Sequence, residues 1–386
     1  MRQDVHDVPL GARRLDGTIA QIRVVVIWSN LPYYAFACLR ALRRSTGIEL
    51  RVLTLGDARP DVFQADDSEF PITVVPDELS MKLLVKLECE LRNFKPDVLV
   101  VSGWGRVSIN LVVALRRLSD LVCVCMSDTR WNGTLRQIAR ASLGSSVLRV
   151  LFDAIWVAGQ RGASLAEIAG FSQERLWRGF LAADPSVFGA MTSSRLNDLE
   201  RAGNWPPRFI FVGRLSAEKG ISILRDAYTR YRRRVALPWS LVVVGDGPER
   251  RLLEGLPDVT LLGWCDHRAI AKELVASGAL ILPSVNEAWG VVVHEAALSG
   301  LPLICSTEVG ATADLLHSGL NGKLFLSGNV DNLADAMSWI TEHPQPWKLG
   351  QYSFALSKNF SPELWAHELI AGYQRLCAGA GMAGIR

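Results

Sequence analysis

The sequence of 386 residues lacks any apolar run long enough to cross a membrane. Its longest apolar runs have the length of a β-strand, whereas a helix that spans a bilayer needs about 20 apolar residues. The first twenty residues mix charged residues with glycine and proline and have no apolar core, which argues against a secretory signal peptide. We therefore expect a cytoplasmic protein that is at most peripheral to the inner face of the membrane.

The sequence also has little excess charge of either sign. Its 42 lysines and arginines nearly balance its 39 aspartates and glutamates, which leaves a formal net charge of +3. Domains that bind nucleic acid usually carry a strongly basic composition or a basic patch. The charge balance thus gives no reason to expect nucleic acid as a partner.

Cysteine and histidine are scarce and lack the spacings of metal sites. The seven cysteines, an odd number scattered through apolar segments, predict free thiols in a reducing compartment. Cys123 and Cys125 share one face of a predicted buried strand, where core packing is the better interpretation. His294 and Glu295 do not form a zinc motif, because Leu298 stands where a second histidine is required. We expect neither a bound metal nor a bound cofactor.

What the sequence does contain is an alternation of strand-length apolar runs with amphipathic helices. Buried strands are predicted at 22–28, 48–55, 97–102, 121–126, 154–158, 208–212, 240–244, 259–263, 280–283 and 303–306. This alternation predicts parallel sheets of an α/β fold that bind ligands at the carboxyl ends of their strands. Because the chain is too long for one ordinary core, we expect two domains, joined by a polar linker at 191–207.

The stretch 280–300, LILPSVNEAWGVVVHEAALSG, combines a buried strand, a polar turn and an apolar helix that starts near Gly290. The N–H groups of a first helical turn have no partner inside the helix, so this arrangement predicts an anion site. Side chains lean toward the start of their helix. We therefore expect Glu295 to point back toward the predicted anion site, which Glu287 flanks. The two carboxylates suit sugar or ribose hydroxyls, and the amides suit a phosphate.

A second turn, GRLSAEKG at 213–220, follows the first strand of the second half. Arg214 offers a planar fork and Lys219 a point charge, and both suit phosphate oxygens. Two solvated surface cations are the alternative. The order of these features along the chain, a strand, a glycine, cations and a second glycine, favours a pyrophosphate site over solvated surface cations.

Glu287 and Glu295, with Trp289 and Gly290 just after the first of them, resemble the paired-glutamate signature of a known family. This is the family of retaining glycosyltransferases of the GT-B fold, family-4 type (glycosyl transferases group 1). The turn at 213–220 is similar to the donor-phosphate turn of the same family. The resemblance is specific over about 209–325 and looser, mainly topological, over the first half.

The resemblance implies an α/β fold of two Rossmann-like parallel-sheet domains facing across a cleft. An acceptor-binding domain would span 1–190 and a nucleotide-sugar-binding domain 208–360. The terminal helix, 361–386, would cross back to the N-terminal domain.

The family's activity would be a metal-independent transfer of a sugar, with retention of configuration, from a nucleotide sugar. The acceptor would be a glycan, a lipid-linked or a small molecule, and the product would serve polysaccharide or glycolipid synthesis. By resemblance, Arg214 and Lys219 hold the diphosphate, Glu295 the ribose and Glu287 the transferred sugar. The donor site so implied comprises Gly213, Arg214, Lys219, Gly263, Trp264, Glu287, Trp289, Gly290, Val291, Val292 and Glu295.

On the acceptor side the sequence departs from the family. Many relatives place a histidine after a strand of the N-terminal domain, near the reacting carbon, but this half has only His6. Asp128 stands at the comparable strand end and either fills that role or caps a turn. The expected acceptor contacts are Asn30, Tyr33, Trp104 and Arg106. The alternative for Trp104 and Arg106 is that they line an interdomain surface.

Two alternatives stand beside the transferase, and a separate hypothesis concerns membrane contact. A catalytically silent nucleotide-sugar binder is suggested by the missing histidine. An NAD-dependent dehydrogenase is disfavoured, because Arg250 stands where the dinucleotide fingerprint begun by Gly245 and Gly247 needs its third glycine. The basic helix predicted at 133–152, with Arg136, Arg140 and Arg149, either contacts an anionic membrane or simply has one solvated face, the commoner case.

Overall fold

The computed structural model describes residues 21–55, 70–75, 81–116, 121–129 and 146–379. The chain forms two compact units. The first comprises the described residues up to Ala158, Gly162–Phe180 and the described residues from Pro362 onward. The second comprises Gly159–Arg161 and Leu181–Ser361. Within the described residues, no helix is both long and apolar enough to span a bilayer.

The first unit is built on a seven-stranded parallel sheet with strand order β3-β2-β1-β4-β5-β6-β7. Its strands are β1 (Ile22–Ser29), β2 (Ile48–Leu55), β3 (Ile72–Val75), β4 (Val98–Ser102), β5 (Val122–Ser127), β6 (Ala154–Val157) and β7 (Leu176–Arg178). The central strands are rich in valine and isoleucine because helices cover both faces of a parallel sheet.

Helices follow most of these strands. They are α1 (Tyr33–Arg44), α2 (Met81–Phe94), α3 (Val107–Arg116), a segment α4 (146–151) and α5 (Gln160–Ile168). The inner sides of α2 and α3 pack into one core with the sheet, and Phe152, just after α4, joins the same core. A short 3₁₀ turn, Gln173–Arg175, precedes β7.

The C-terminal helix, α14 (Pro362–Gly379), belongs to the first unit although it ends the chain. It packs against α1. Trp365 lies 4.6 Å from Trp156, ring centroid to ring centroid, and its Nε1 donates a hydrogen bond to the carbonyl of Phe180 at 2.9 Å. The predicted return of the terminal helix to the first domain is therefore confirmed.

The second unit is built on a six-stranded parallel sheet with strand order β10-β9-β8-β11-β12-β13. Its strands are β8 (Arg208–Val212), β9 (Ser240–Val244), β10 (Val259–Gly263), β11 (Ala279–Leu282), β12 (Leu303–Ser306) and β13 (Gly322–Phe325). Its helices are α6 (Pro185–Phe188), α7 (Thr192–Ala202), α8 (Ile221–Arg234), α9 (His267–Val275), α10 (Val291–Leu298), α11 (Thr312–Leu315), α12 (Val330–Thr341) and α13 (Pro346–Ser357).

The segment predicted as a linker, 191–207, is instead largely the helix α7 of the second unit. Thr192 and Leu196 are each 2% exposed, and the Thr192 hydroxyl donates to the carbonyl of Leu298 at 2.7 Å. Arg195 donates to the carbonyl of Ser299 at 3.1 Å. The polar composition misled the prediction because these polar side chains bind the otherwise unpaired carbonyls at the end of α10.

Other predicted elements agree or fall outside the described residues. The strands predicted at 48–55, 208–212, 240–244, 259–263 and 303–306 match the observed bounds. The sequence did not predict β3, α5, α13 or β13. Of the basic helix predicted at 133–152, Arg136 and Arg140 lie outside the described residues, whereas Arg149 lies on α4.

Candidate functional site

The two turns singled out in the sequence meet at one edge of the second unit's sheet. β8 and β11 are neighbouring parallel strands, so the turns that follow them emerge side by side. The backbone N–H of Val285 donates to the carbonyl of Glu218 at 2.9 Å, which joins the two turns directly. A Cβ at Gly220 (φ 72°) would collide with the carbonyl of Pro283, so only glycine allows this approach.

Lys219 and Glu287 form an ion pair where the two turns meet. The Lys219 Nζ donates to Oε2 of Glu287, and the hydroxyl of Ser284 donates to the same oxygen at 3.3 Å. The two charged side chains are 22% and 15% exposed, respectively, so the pair is largely shielded but reachable from solvent. One predicted cation and one predicted carboxylate are thus brought together.

Arg214 is not brought into this pair. Its guanidinium pairs with Glu218 within the same turn, and its side chain is 69% exposed. An arginine that pairs with an exposed carboxylate four residues away is held weakly, because solvent screens such surface pairs. Its side chain is therefore free to turn toward an incoming anion.

The loop at 245–247 supports the Arg214 turn from behind. The N–H of Gly213 donates to the carbonyl of Val244 at 3.0 Å, and that of Leu215 donates to the carbonyl of Asp246 at 2.9 Å. A Cβ at Gly245 would collide with the carbonyl of Gly213, and one at Gly247 with that of Leu215. These glycines therefore allow two backbones to pack together.

The helix α10 starts without a side-chain cap. Gly290 occupies its N-cap position with φ 90°, and no acidic residue lies in the first turn. The first backbone hydrogen bond runs from the N–H of Val293 to the carbonyl of Gly290 at 2.9 Å, so the N–H groups of Val291 and Val292 precede it. Such a helix start favours an anion through its amides and its dipole.

A neighbouring loop holds the segment from Glu287 to Gly290 in place. The N–H of Glu287 donates to the carbonyl of Glu308 at 3.2 Å, and the N–H of Gly310 donates back to the carbonyl of Glu287 at 3.1 Å. A Cβ at Gly310 would collide with the carbonyl of Ala288. The start of α10 is consequently fixed on two sides before any ligand binds.

Glu295 lies in the second turn of α10 and is 3% exposed. Burial raises the pKa of its carboxyl group from 4.5 to about 8, because desolvation disfavours the charged form. Near neutral pH the group therefore holds its proton in the ligand-free protein. Hydroxyl donors from a ligand would favour the ionised carboxylate.

The side chain of His294, which belongs to no zinc motif, fastens α10 to two other segments. Its Nδ1 accepts a hydrogen bond from the N–H of Ala183, and its Nε2 lies against the carbonyl of Ser357, each at 3.0 Å. Burial lowers its pKa to about 4, so the ring is neutral and Nε2 carries the proton. The signal in the sequence was a polar residue in an otherwise apolar helix.

Three further residues of the expected donor site, Trp289, Gly263 and Trp264, have different surroundings. Trp289 is 3% exposed and packs on Phe360, with ring centroids 5.3 Å apart, which gives it a packing role. Gly263 ends β10 with φ 75°, and its carbonyl accepts from the N–H of Gly245 at 2.7 Å. Trp264 is 67% exposed and therefore offers an open ring face at this strand end.

The predicted acceptor residues lie in the first unit, at the carboxyl ends of the neighbouring strands β1, β4 and β5. Asn30 follows β1 in the left-handed conformation (φ 52°), and Tyr33 begins α1. Trp104, 40% exposed, follows β4 together with the half-buried Arg106. They share one edge of the sheet, as the sequence predicted.

Asp128 follows β5 and is exposed. Burial first, and the nearby Asp128 carboxylate second, raise the pKa of the Tyr34 phenol above its usual range. The Asp128 carboxylate thus acts electrostatically on the Tyr34 phenol.

The match to a known protein family lies within the second unit. The family described as "Glycosyl transferases group 1" matches residues 206–343. Alpha-D-kanosaminyltransferase of Streptomyces kanamyceticus is 30% identical over 181 residues, which are 45% of this chain and 46% of the relative. Sulfoquinovosyl transferase SQD2 of Arabidopsis thaliana is 25% identical over 315 residues, 75% of this chain and 59% of the relative. The chain thus covers only about half the length of these two relatives.

Two solved structures share the fold. Anabaena Alr3699/HepE, in complex with UDP and glucose, aligns with a TM-score of 0.70 at 16% identity over 90% of this chain and 98% of its own. Sucrose-phosphate synthase of Thermosynechococcus elongatus aligns with a TM-score of 0.69 at 19% identity, over 93% and 100%. At such identities the likeness shows the fold, two parallel-sheet α/β domains of the GT-B class, as predicted. Residues 206–343, which lie in the second unit, thus resemble the glycosyl transferases group 1 family.

Proposed function

We propose that this protein is a glycosyltransferase that moves a sugar from a nucleotide-sugar donor to an acceptor hydroxyl, with retention of anomeric configuration and without a metal ion. The acceptor class is a glycan, a lipid-linked or a small molecule, as in polysaccharide or glycolipid synthesis. The proposed location of this activity is the cytoplasm. Relatives named for the transfer of kanosamine and sulfoquinovose support the reaction class.

One observation carries the proposal, the Lys219–Glu287 pair beside the uncapped start of α10. A diphosphate needs a cation and amide donors, and a sugar hydroxyl needs a carboxylate. All three kinds of group are present within one pair of neighbouring turns. HepE was solved with UDP and with UDP-glucose, which supports a nucleoside diphosphate as the ligand class.

In the proposed reaction, the bond from the anomeric carbon to the phosphate oxygen breaks and the acceptor oxygen bonds to the same carbon. The acceptor's proton passes to the departing phosphate oxygen on the same face of the sugar, which preserves configuration. Negative charge builds on that phosphate. Lys219 and the amides of Val291 and Val292 stabilise it from fixed positions, without solvent having to reorganise, and the mobile side chain of Arg214 turns toward it.

The remaining roles follow from position. Glu287 orients the hydroxyls of the transferred sugar, and Glu295 takes the ribose hydroxyls. Gly263 and Trp264, at the end of β10, would contact the base. In the first unit, Asn30, Tyr33, Trp104 and Arg106 would bind the acceptor, and Asp128 would stand near the reacting carbon where many relatives have a histidine.

The test begins with a search for the donor. Nucleotide sugars with uridine, guanosine and adenosine bases are compared for their effect on Tm, because a ligand of the folded state raises its stability with concentration. The donor so found is then incubated with glycan and polyprenyl-linked acceptors, and release of nucleoside diphosphate is measured. We expect Lys219→Ala to lower kcat by about 10²- to 10³-fold, the loss typical of one such donor group.

Lys272→Ala is the matched control, since Lys272 is an exposed lysine of α9 in the same unit. It should leave kcat unchanged. A protein that binds the nucleotide sugar yet releases no nucleoside diphosphate with any acceptor would be a silent binder, and the transferase proposal would be wrong.

A further inference from the structure

A cavity of about 350 Å³ lies in the second unit, between the edge strand β13 and the helix α12. We call it the β13–α12 cavity. None of its lining residues belongs to the turns at 213–220 and 284–290, and β12 separates β13 from β11 in the sheet. Small-molecule sites typically measure about 300 to 1,000 Å³. The volume therefore suits a small ligand that is bound apart from the candidate donor site.

The helix α12 presents a mixed polar and aromatic face to this cavity. The four lining residues of the helix share one face of it by their spacing, and they are Asn332, Asp335, Ala336 and Trp339. Leu333, Met337 and Ile340, on the other side of the helix, are 0% exposed and hold it to the unit. The half-buried tryptophan thus lies on the side of the helix that is not used up in packing.

The chain of β13 and the residue after it supply the apolar part of the cavity. Phe325 is 3% exposed, whereas Leu324 and Leu326 are 38% and 60% exposed. Ala336 of α12, 5% exposed, has too small a side chain to fill the space beside them. The cavity consequently has an apolar base and an apolar rim.

The edge of β13 is closed to a further strand. Edge strands commonly bind peptides by adding a strand to the sheet. Here the N–H of Leu324 donates to the hydroxyl of Ser318 at 3.2 Å, and the carbonyl of Gly322 accepts from the N–H of Gly319 at 2.8 Å. These bonds occupy the backbone groups that a peptide strand would need. The ligand must therefore be recognised by the side chains.

The ring of Trp339 is held in position without a ligand. The ammonium group of Lys323 lies 4.4 Å from its centroid, and the ring of His343 meets it at 4.9 Å with an angle of 61° between the planes. Among the described residues, none accepts a hydrogen bond from the Lys323 ammonium. The cavity thus combines a fixed aromatic surface with a donor that is available to a ligand.

The charges of the cavity favour an uncharged ligand. Its charged side chains are Lys323 and Asp335, one of each sign, and Asp335 also accepts from Arg234 at 2.7 Å. An anion would face the carboxylate, and a cation would face the ammonium group. The amide of Asn332 both donates and accepts hydrogen bonds. This set of groups suits hydroxyls, which also do both.

We propose that the β13–α12 cavity binds an uncharged hexopyranose unit of a glycan. The apolar C–H groups of a pyranose ring pack on the Trp339 indole and on Leu326. Its hydroxyls donate to the carboxylate of Asp335, accept from the ammonium group of Lys323, and exchange hydrogen bonds with the amide of Asn332. The site is separate from the donor site and does not depend on the proposed transferase activity.

The test is calorimetric titration of the full chain with maltose, cellobiose and mannobiose at millimolar concentrations, in the presence of UDP to occupy a donor site. We expect at least one of these disaccharides to bind the wild type. Trp339→Ala should weaken that binding at least about tenfold, which corresponds to about 1.4 kcal/mol. Asn332→Ala should weaken it about fivefold, the effect of losing one hydrogen bond. Because Asn332 is exposed, this variant tests the site even if Trp339→Ala fails to fold.

Tyr352→Ala is the matched control, because Tyr352 is an aromatic residue of α13 in the same unit and is 52% exposed. It should bind the disaccharide as the wild type does, and so should Lys219→Ala, which alters only the candidate donor site. No binding of any of the three disaccharides to the wild type would refute the proposal, as would unchanged binding by Asn332→Ala and folded Trp339→Ala. A wild-type dimer in solution that Leu326→Glu dissociates would also refute it, since a second copy would then cover the cavity.

Discussion

The buried carboxyl group of Glu295 makes the stability of the protein depend on pH. Its pKa is about 8 in the folded protein and 4.5 as a free group, so between these values the folded state binds the proton and the unfolded state releases it. The stability that this group contributes is therefore fully present below pH 4.5. It is lost as the pH rises from there through about 8. The limiting slope is about 1.4 kcal/mol per pH unit.

We therefore expect the free energy of unfolding to fall between pH 6.5 and 8, and the variant Glu295→Gln to remove most of that slope. His294 does not interfere in this range, because its lowered pKa matters only below its usual value of 6.5. Urea denaturation at several pH values measures the slope. Glu363→Gln, at an exposed glutamate of α14, is the control and should retain it. An identical slope in Glu295→Gln would show that the carboxylate is ionised in the folded protein.

Single residues also mark the limit of prediction from sequence. The spacing of Glu287 and Glu295 and the cations of 213–220 predict a donor site, and the structure brings Lys219 and Glu287 of that prediction together. The choice of Lys219 over Arg214 as the partner of Glu287 was not predictable, because it depends on how closely two backbones approach at Gly220. The protonation of Glu295 likewise depends on the segments packed over it.

At the scale of secondary-structure elements, the helix α10 is joined to two distant segments by one of its own side chains, His294. Its ring accepts from Ala183 and donates to Ser357, and both partners are backbone groups of distant segments. Replacing the ring by leucine would leave the buried N–H of Ala183 without a partner, whereas the carbonyl of Ser357 would still accept from the N–H of Phe360 at 3.1 Å. Leaving one buried donor unpaired costs about 1 to 3 kcal/mol.

We expect His294→Leu to lower the free energy of unfolding of the second unit by about 1 to 3 kcal/mol. His294→Gln, whose amide can restore one of the two bonds, should lose about half as much. Urea denaturation followed by circular dichroism measures both. If the leucine variant were as stable as the wild type, α10 would be held by its apolar packing alone.

Elements with strong periodicity were predictable, and those stabilised by distant partners were not. The buried strands at 208–212 and 240–244 are short apolar runs of Phe, Ile, Leu and Val, which suit a buried strand of a parallel sheet. The helix α7 was missed because its polar residues bind carbonyls of α10 that lie far away in the sequence. The small residues of α5 gave it no periodic signal.

For the whole molecule, the return of α14 means that the last helix of the chain completes the first unit. Trp365 is 1% exposed within a cluster that includes Trp156. Removing a buried tryptophan side chain costs about 3 to 5 kcal/mol, part of which is the cavity left behind. Two compact units need not unfold together, so denaturation is expected to show two transitions.

We expect Trp365→Ala to shift only the transition of the first unit, by about 3 to 5 kcal/mol. Leu364→Ala is the matched control, because Leu364 neighbours Trp365 on the same helix and is 46% exposed. Its effect should be small. Urea denaturation followed by circular dichroism resolves the transitions, and a shift of the second-unit transition instead would mean that α14 stabilises the other unit.

The sequence by itself determined the α/β class, the positions of most strands, and the two turns with their glycines, cations and carboxylates. These features are local, since they depend on apolar periodicity and on which residue types a turn tolerates. Only the tertiary structure decided the ion pair of Lys219 with Glu287, the protonated state of Glu295 and the place of 191–207 in the second unit. Each depends on desolvation and hydrogen bonds from residues distant in sequence, which no local pattern records.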